Sequence, residues 1–244
     1  MRILRYFALP AIIALFVVAS VRASDTAGDL TTIVAHEDFL NGTGGSIFSQ
    51  NSAGAGSNGG AQADAEQGRP GILEIATGWT AAGRGSIITG AARSVLFGGG
   101  EWTCDGDVDV LTIANAVDDY VLRFGFVDSY QLAAPTDGAW IEYNQGVSPN
   151  WLMRSASNGN QTTTYSAVAV TTGWHRHKQV VNAAGTAVEF FLDNTSIGFV
   201  TTDIPTTAGR VTGIGAGIFK TAGLASRAAR IDWIDIKVTL TNSR

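Results

Sequence analysis

Residues 174–201 read WHRHKQVVNAAGTAVEFFLDNTSIGFVT, and this stretch decides the fold class. Asn182-Ala183-Ala184-Gly185 and Asp193-Asn194-Thr195 are turn sequences: glycine supplies the positive φ of a tight reversal, and Asn and Asp close turns with their own side chains. Between them Thr186, Val188, Phe190 and Leu192 fall on one face of a strand, while Ala187, Glu189 and Phe191 fall on the other. The spacing predicts three antiparallel strands in a meander. Phe190 and Phe191 cannot share a face, so one of them points away from the core, toward a second layer, a partner or a ligand.

The same alternation extends in both directions. In Glu101–Ile113, EWTCDGDVDVLTI, Trp102, Cys104, Val108 and Val110 share one face and Thr103, Asp105, Asp107 and Asp109 the other, one core and one wet. Further strands are expected at residues 33–40, 72–76, 86–89, 120–127, 139–143, 150–156, 162–170, 213–219 and 231–240, with Ser157-Asn158-Gly159-Asn160 as a hairpin turn. No helical period runs over three turns after residue 23. Thirty glycines and many β-branched and aromatic residues fit about a dozen to fourteen short strands in a sandwich or jelly roll. Residues 41–69, rich in Gly, Ser, Asn and Ala, lack the apolar side chains of a core layer and are expected to form a long surface loop. The expected organisation is residues 1–23 as a signal peptide, 24–69 as polar lead, first strand and glycine-rich loop, and 70–244 as the rest of one domain with its core at about 33–241.

Arg2 and Arg5 precede an apolar run from Tyr6 to Val21, and Val21-Arg22-Ala23 places small or apolar residues where a signal peptidase reads. The run is short for a membrane span, so cleavage after Ala23 is expected, with an uncleaved N-terminal anchor as the alternative. The mature chain would then be secreted or surface-exposed, free of the membrane. It would carry 13 basic against 21 acidic residues. Such a balance, without a long basic stripe, argues against nucleic acid. Cys104 is the single cysteine, so neither an intrachain disulfide nor a thiolate zinc site is available.

The order of these elements, from Asp38-Phe39 through EWTCDGDVDV, DDYVLRFGFVDS, DGAWIEYNQ and GWHRHKQVVNAAGTAVEFFLDN to the closing IDWIDIKV, resembles the concanavalin A-like and laminin-G-like jelly rolls. It is most similar to their phage and prophage virion versions. The resemblance covers residues 35–240 and implies an all-β, two-sheet antiparallel jelly-roll sandwich, here preceded by a signal-peptide helix. That family includes lectins, adhesion modules, glycosidases, polysaccharide lyases and virion appendages, so it implies several activities.

Chemistry then has to be sought residue by residue. Glycoside hydrolysis needs two carboxylates about 5–9 Å apart. Asp105, Asp107 and Asp109 have the spacing, but the family's E-x-D-x-x-E hydrolase pattern is absent. The same three aspartates are candidate Ca²⁺ ligands, although a loop wraps a cation better than an extended strand. His175 and His177 share a strand face without an obvious third metal ligand. Sugar recognition needs an aromatic platform bordered by amides and carboxylates. Trp79, Tyr130, Trp140, Tyr143 and Trp151 sit at turns or strand ends; Trp140, Tyr143 and Trp151, with Asn144, are the ligand-binding candidates, and Trp102, Trp174 and Trp233 are assigned to the core. The favoured reading is a non-catalytic adhesion or structural module that binds a glycan or cell-surface polysaccharide, with room for a homo-oligomer. The alternatives are a glycoside hydrolase or polysaccharide lyase on the same scaffold, and a virion structural protein.

Overall fold

The computed structural model describes residues 31–43, 47–89 and 94–242. The expected signal peptide therefore lies outside the described residues. Within them no helix is long and apolar enough to cross a membrane.

Two antiparallel sheets stack face to face. The first is built from β1 (Thr32–Glu37), β4 (Asn58–Gln62), β5 (Leu73–Ala76), β7 (Gly100–Val110), β12 (Gly173–Val181), β13 (Val188–Leu192), β14 (Thr195–Val200) and β16 (Ala228–Leu240). Its order is β14-β13-β12-β7-β16-β5-β4. The long β16 pairs with β7 on one side and, on the other, with β5 through residues 228–231 and β1 through 234–239. The second sheet holds β3 (Phe48–Ala53), β6 (Arg84–Thr89), β8 (Tyr120–Val127), β9 (Gly138–Asn144), β10 (Ser148–Ser157), β11 (Asn160–Ala169) and β15 (Gly213–Lys220), ordered β11-β10-β9-β8-β15-β6-β3. One further short strand, β2, spans Leu40–Thr43.

The 174–201 stretch forms β12, β13 and β14. Gly185 (φ 69°) turns the first hairpin, and Asp193 and Asn194 (φ 49° and 66°) the second. Val188, Phe190 and Leu192 enter the inter-sheet core; Phe191 is the outward phenylalanine, with Lys178 Nζ 5.3 Å from its ring centroid. Facing them across the core are Tyr120, Leu122, Phe124 and Phe126 of β8 and Ile214, Ala216 and Ile218 of β15. Each fully buried large apolar side chain contributes about 1.5–3 kcal/mol.

Residues 41–69 depart from the expected surface loop, since they contain most of β2 and all of β3 and β4. β3 pairs with β6 and β4 with β5, so these strands extend both sheets at their edges. Edge strands are held by backbone hydrogen bonds, and here small residues are an asset: a Cβ on Gly59 would lie 2.6 Å from the Asn51 carbonyl oxygen. Composition alone could not show this, because the apolar payload sits on their partners.

Candidate functional site

The outer face of the second sheet carries a polar cluster that alternation creates. In β8, even-numbered residues from 120 to 126 face the core, so Val121, Arg123 and Val127 face outward, and pairing with β9 places Arg123 opposite Glu142. Trp140 and Asn144 flank Glu142 on that face. β10 adds Arg154 opposite Trp140 and Leu152 opposite Glu142, and the edge strand β11 adds Thr163 opposite Arg154 and Tyr165 opposite Leu152.

Glu142 is the hub, with 0% side-chain exposure. Its Oε2 accepts hydrogen bonds from Arg123 Nε (2.9 Å) and Trp140 Nε1 (3.0 Å), and its Oε1 from Arg154 Nη1 (2.8 Å) and Asn144 Nδ2 (3.4 Å). Burial alone would raise the Glu142 carboxyl, but Arg123 and Arg154 outweigh it and hold the group below the usual carboxylate range. Burial also pulls the Arg123 guanidinium down, opposed by Glu142; a guanidinium keeps its proton, so the pair is ionic. Arg154 is fixed on its far side by Gln161 Oε1 (2.8 Å), and its Cζ lies 5.7 Å from the Trp140 ring centroid.

A loop, residues 128–137, lies over the centre of this face. Arg123 Nη1 donates to the carbonyls of Gln131 (2.9 Å) and Ala133 (3.1 Å), and the Tyr130 hydroxyl donates to the Gly125 carbonyl (3.0 Å). Asp128 bonds to the Thr136 side chain and closes the loop at its base. The loop leaves a shelf toward β11, where Gln161 is exposed, Asn144 and Thr163 are half-buried, and Tyr165 is 60% exposed.

This geometry divides the four ligand-binding candidates. Trp140 and Asn144 meet at Glu142, but the Trp140 ring is fully buried. Tyr143 and Trp151 belong to the opposite face and are core residues; the Tyr143 hydroxyl accepts from the Ala114 amide (3.0 Å) and its ring lies edge-on to Trp151. The period of two separates Tyr143 from its neighbours. None of the three rings offers a face to solvent. Among the described residues the exposed aromatics are instead Tyr165, Phe199 on the edge strand β14, and Trp79, the last 65% exposed with its ring against Gly56. Tyr165 could have been found from its position, outward on a polar strand that returns from an Asn-Gly hairpin.

The aspartates of β7 do face outward, yet they do not fit Ca²⁺. Both oxygens of Asp105 are taken by Arg176 (2.9 and 2.6 Å), and Asp107 receives Arg69 (3.2 Å). Burial raises the Asp109 carboxyl, against the pull of Arg230. Among the described residues no three His, Cys, Asp or Glu side chains converge on a metal position. Trp174 and Trp233, expected in the core, sit on this same outer face. Arg69 lies over the first (4.5 Å) and Arg176 over the second (5.4 Å), so cation–π stacking stands in for core packing. The two histidines point inward: His175 joins Asp193 (2.9 Å) and Thr171 (2.9 Å), and His177 is buried between Trp151 and Phe124.

Residues 68–232 match the family model described as SO2946-like, C-terminal domain. Among solved structures, the protein of unknown function SO2946 from Shewanella oneidensis MR-1 superposes with a TM-score of 0.63 at 18% identity, covering 87% of this chain and 89% of that one. Peanut lectin gives 0.57 at 11% identity (87% and 99% covered), and the Bacillus licheniformis β-glucanase 0.52 at 13% (88% and 99%). At these identities the likeness establishes the concanavalin A-like sandwich and nothing finer. No curated protein sequence matches the chain.

Proposed function

We propose, for a chain that belongs to the SO2946-like C-terminal domain family, a secreted, non-catalytic sandwich module that binds glycan on the shelf beside the 128–137 loop. The observation that carries the reading is the exposed Tyr165 ring beside a polar set that is already fixed, Arg154 being held by Glu142 and Gln161 before any ligand arrives. An aromatic face stacks on the C–H face of a pyranose, while the amide of Asn144 and the hydroxyl of Thr163 meet its hydroxyls. Preorganisation lowers the entropic cost of binding. The lectin and glucanase likeness supports a carbohydrate ligand in general.

The non-catalytic part rests on Glu142. A glycosidase acid needs a raised pKa and a second carboxylate about 5–9 Å away, whereas Glu142 is held ionised by two guanidinium groups. Secretion follows from the expected signal peptide.

A glycan array probed with the chain from Ser24, and with its Tyr165→Ala variant, tests the proposal. Binding that drops at least about tenfold in the variant and survives a chelator is expected. Binding unchanged by Tyr165→Ala moves the site elsewhere, with Trp79 next in line. Release of reducing ends makes the protein an enzyme, and absence of any bound glycan favours a structural subunit, such as a virion component.

A further inference from the structure

β11 ends the order of the second sheet, so among the described residues no strand lies on its outer side. Its 10 residues, Asn160–Ala169, include no charged side chain and no proline. Sheet edges are ordinarily blunted by Lys, Pro or a bulge, because an unpaired row of N–H and C=O groups templates further pairing. The other edges of this sandwich follow that rule. Register shifts interrupt the pairing of β4 with β5 and of β14 with β13, β1 carries Glu37, and β3 lies against β4, with Gly59 tight on Asn51.

The straight part of the β11 edge is 160–165, paired in register with residues 152–157 of β10; the irregularity lies beyond Tyr165. Asn158 and Gly159 (φ 56° and 79°) make a two-residue turn, and the residues flanking such a turn, Ser157 and Asn160, exchange both backbone hydrogen bonds. Alternation then directs the backbone groups of Asn160, Thr162 and Thr164 at β10, and those of Gln161, Thr163 and Tyr165 at the open side. Side-chain contacts already fix this edge: Thr162 Oγ1 bonds to Thr202 and Asp203 (2.7 Å each), and Gln161 Nε2 donates to the Pro135 carbonyl (3.0 Å). The segments outside the description join the sandwich elsewhere, 44–46 and 90–93 beside β3 and β6 at the far side of this sheet, and residues 1–30 and 243–244 beside β1 and β16 of the other.

We propose that two copies of this chain pair along β11, antiparallel about a two-fold axis at Thr163. That register sets Thr163 opposite its own counterpart and Tyr165 opposite Gln161 of the second copy, so each free N–H meets a free C=O in about six backbone hydrogen bonds. A two-fold contact apposes a surface to itself, so any charge on it would meet its like. The chain is acidic, with a formal net charge of −5, and β11 is an edge on which two copies approach without that repulsion. Threonine pairs cross the axis, Thr162 beside Thr164 on one face and Thr163 beside Thr163 on the other, and such pairs favour strand association. The two second sheets become one continuous sheet. This pairing needs no glycan, and it stands or falls apart from the shelf.

Sedimentation velocity of the chain from Ser24 and of two variants tests the pairing, and a reversible dimer is expected. Thr163→Pro removes an N–H aimed at the second copy rather than at β10, so it should weaken the dimer at least about tenfold while near-UV circular dichroism shows the monomer still folded. Thr163→Lys sets two ammonium groups across the axis and should also weaken the dimer at least about tenfold, less so at high salt. It keeps the test decisive should Thr163→Pro fail to fold. Residue-resolved hydrogen exchange should show the Gln161, Thr163 and Tyr165 amides protected in the dimer and released on dilution, with those of Thr162 and Thr164 protected throughout. A monomer at every concentration up to about 100 μM overturns the inference. So does a dimer that persists undiminished in either folded variant, or one that leaves the amides of Gln161, Thr163 and Tyr165 unprotected.

Discussion

Arg123 Nε lies 2.9 Å from Glu142 Oε2, and the two side chains are 5% and 0% exposed. A buried pair of this kind adds little net stability, since desolvation offsets the attraction, but breaking it strands a charge. Glu142→Gln should therefore destabilise the protein by about 3–5 kcal/mol. Arg123→Met combined with Glu142→Leu should cost less than the two single changes together. Urea unfolding of Glu142→Gln, of the Arg123→Met and Glu142→Leu single variants and of their double measures this, and additivity of the last pair would show that the two residues are not coupled.

His177 gives the protein a pH dependence of definite sign. Burial, with a smaller push from His175, lowers its pKa from 6.5 to about 3. The folded state thus holds the ring neutral where the unfolded chain protonates it. Stability from this group is complete above pH 6.5 and falls as pH drops toward 3, by about 1.4 kcal/mol per pH unit. His177→Leu should flatten the stability profile between about pH 4 and 6. Parallel slopes for the two proteins in that range would assign the acid sensitivity to other groups.

Gly125 has φ 139°, and a Cβ there would lie 2.1 Å from Gln179 Oε1 and 2.8 Å from the Ala139 carbonyl oxygen. Gln179 cannot yield cheaply, as its Nε2 donates to the Phe124 carbonyl (2.8 Å) inside the core. Gly125→Ala should cost about 2 kcal/mol or more, combining backbone strain with a displaced buried amide. A thermal midpoint within a degree or so of wild type would contradict this.

Cys104 is fully buried, and burial, with Asp105 and Asp235 nearby, pushes its thiol well above the usual range. The thiolate is the reactive form, so the native protein should not react with Ellman's reagent, while one equivalent should react in denaturant. Rapid labelling under native conditions would mean that β7 opens locally.

The central meander was legible because both signals coincide there: turn residues at 182–185 and 193–195, and strict alternation between them. The same alternation assigned the faces of β7 correctly. What alternation cannot reveal is what lies above an outward face. Asp105, Asp107 and Asp109 read as a wet surface, yet Arg176 and Arg69, from distant segments, cover it. Trp140 and Tyr143 read as one cluster because they are near in sequence, but strand residues three apart point to opposite faces. Tyr165 was passed over because exposure on an edge strand depends on which strand ends the sheet, and only pairing decides that.

The placement of β16 sets the order in which the molecule can be completed. Residues 228–240 lie between a strand begun at residue 100 and two strands drawn from residues 32–37 and 73–76. During synthesis β1 must wait some two hundred residues for its partner, so the first sheet remains three separate pieces, β14-β13-β12-β7, β5-β4 and β1, until β16 is made. Closure is a late, long-range event, of the kind that puts all-β folding in the millisecond-to-second range.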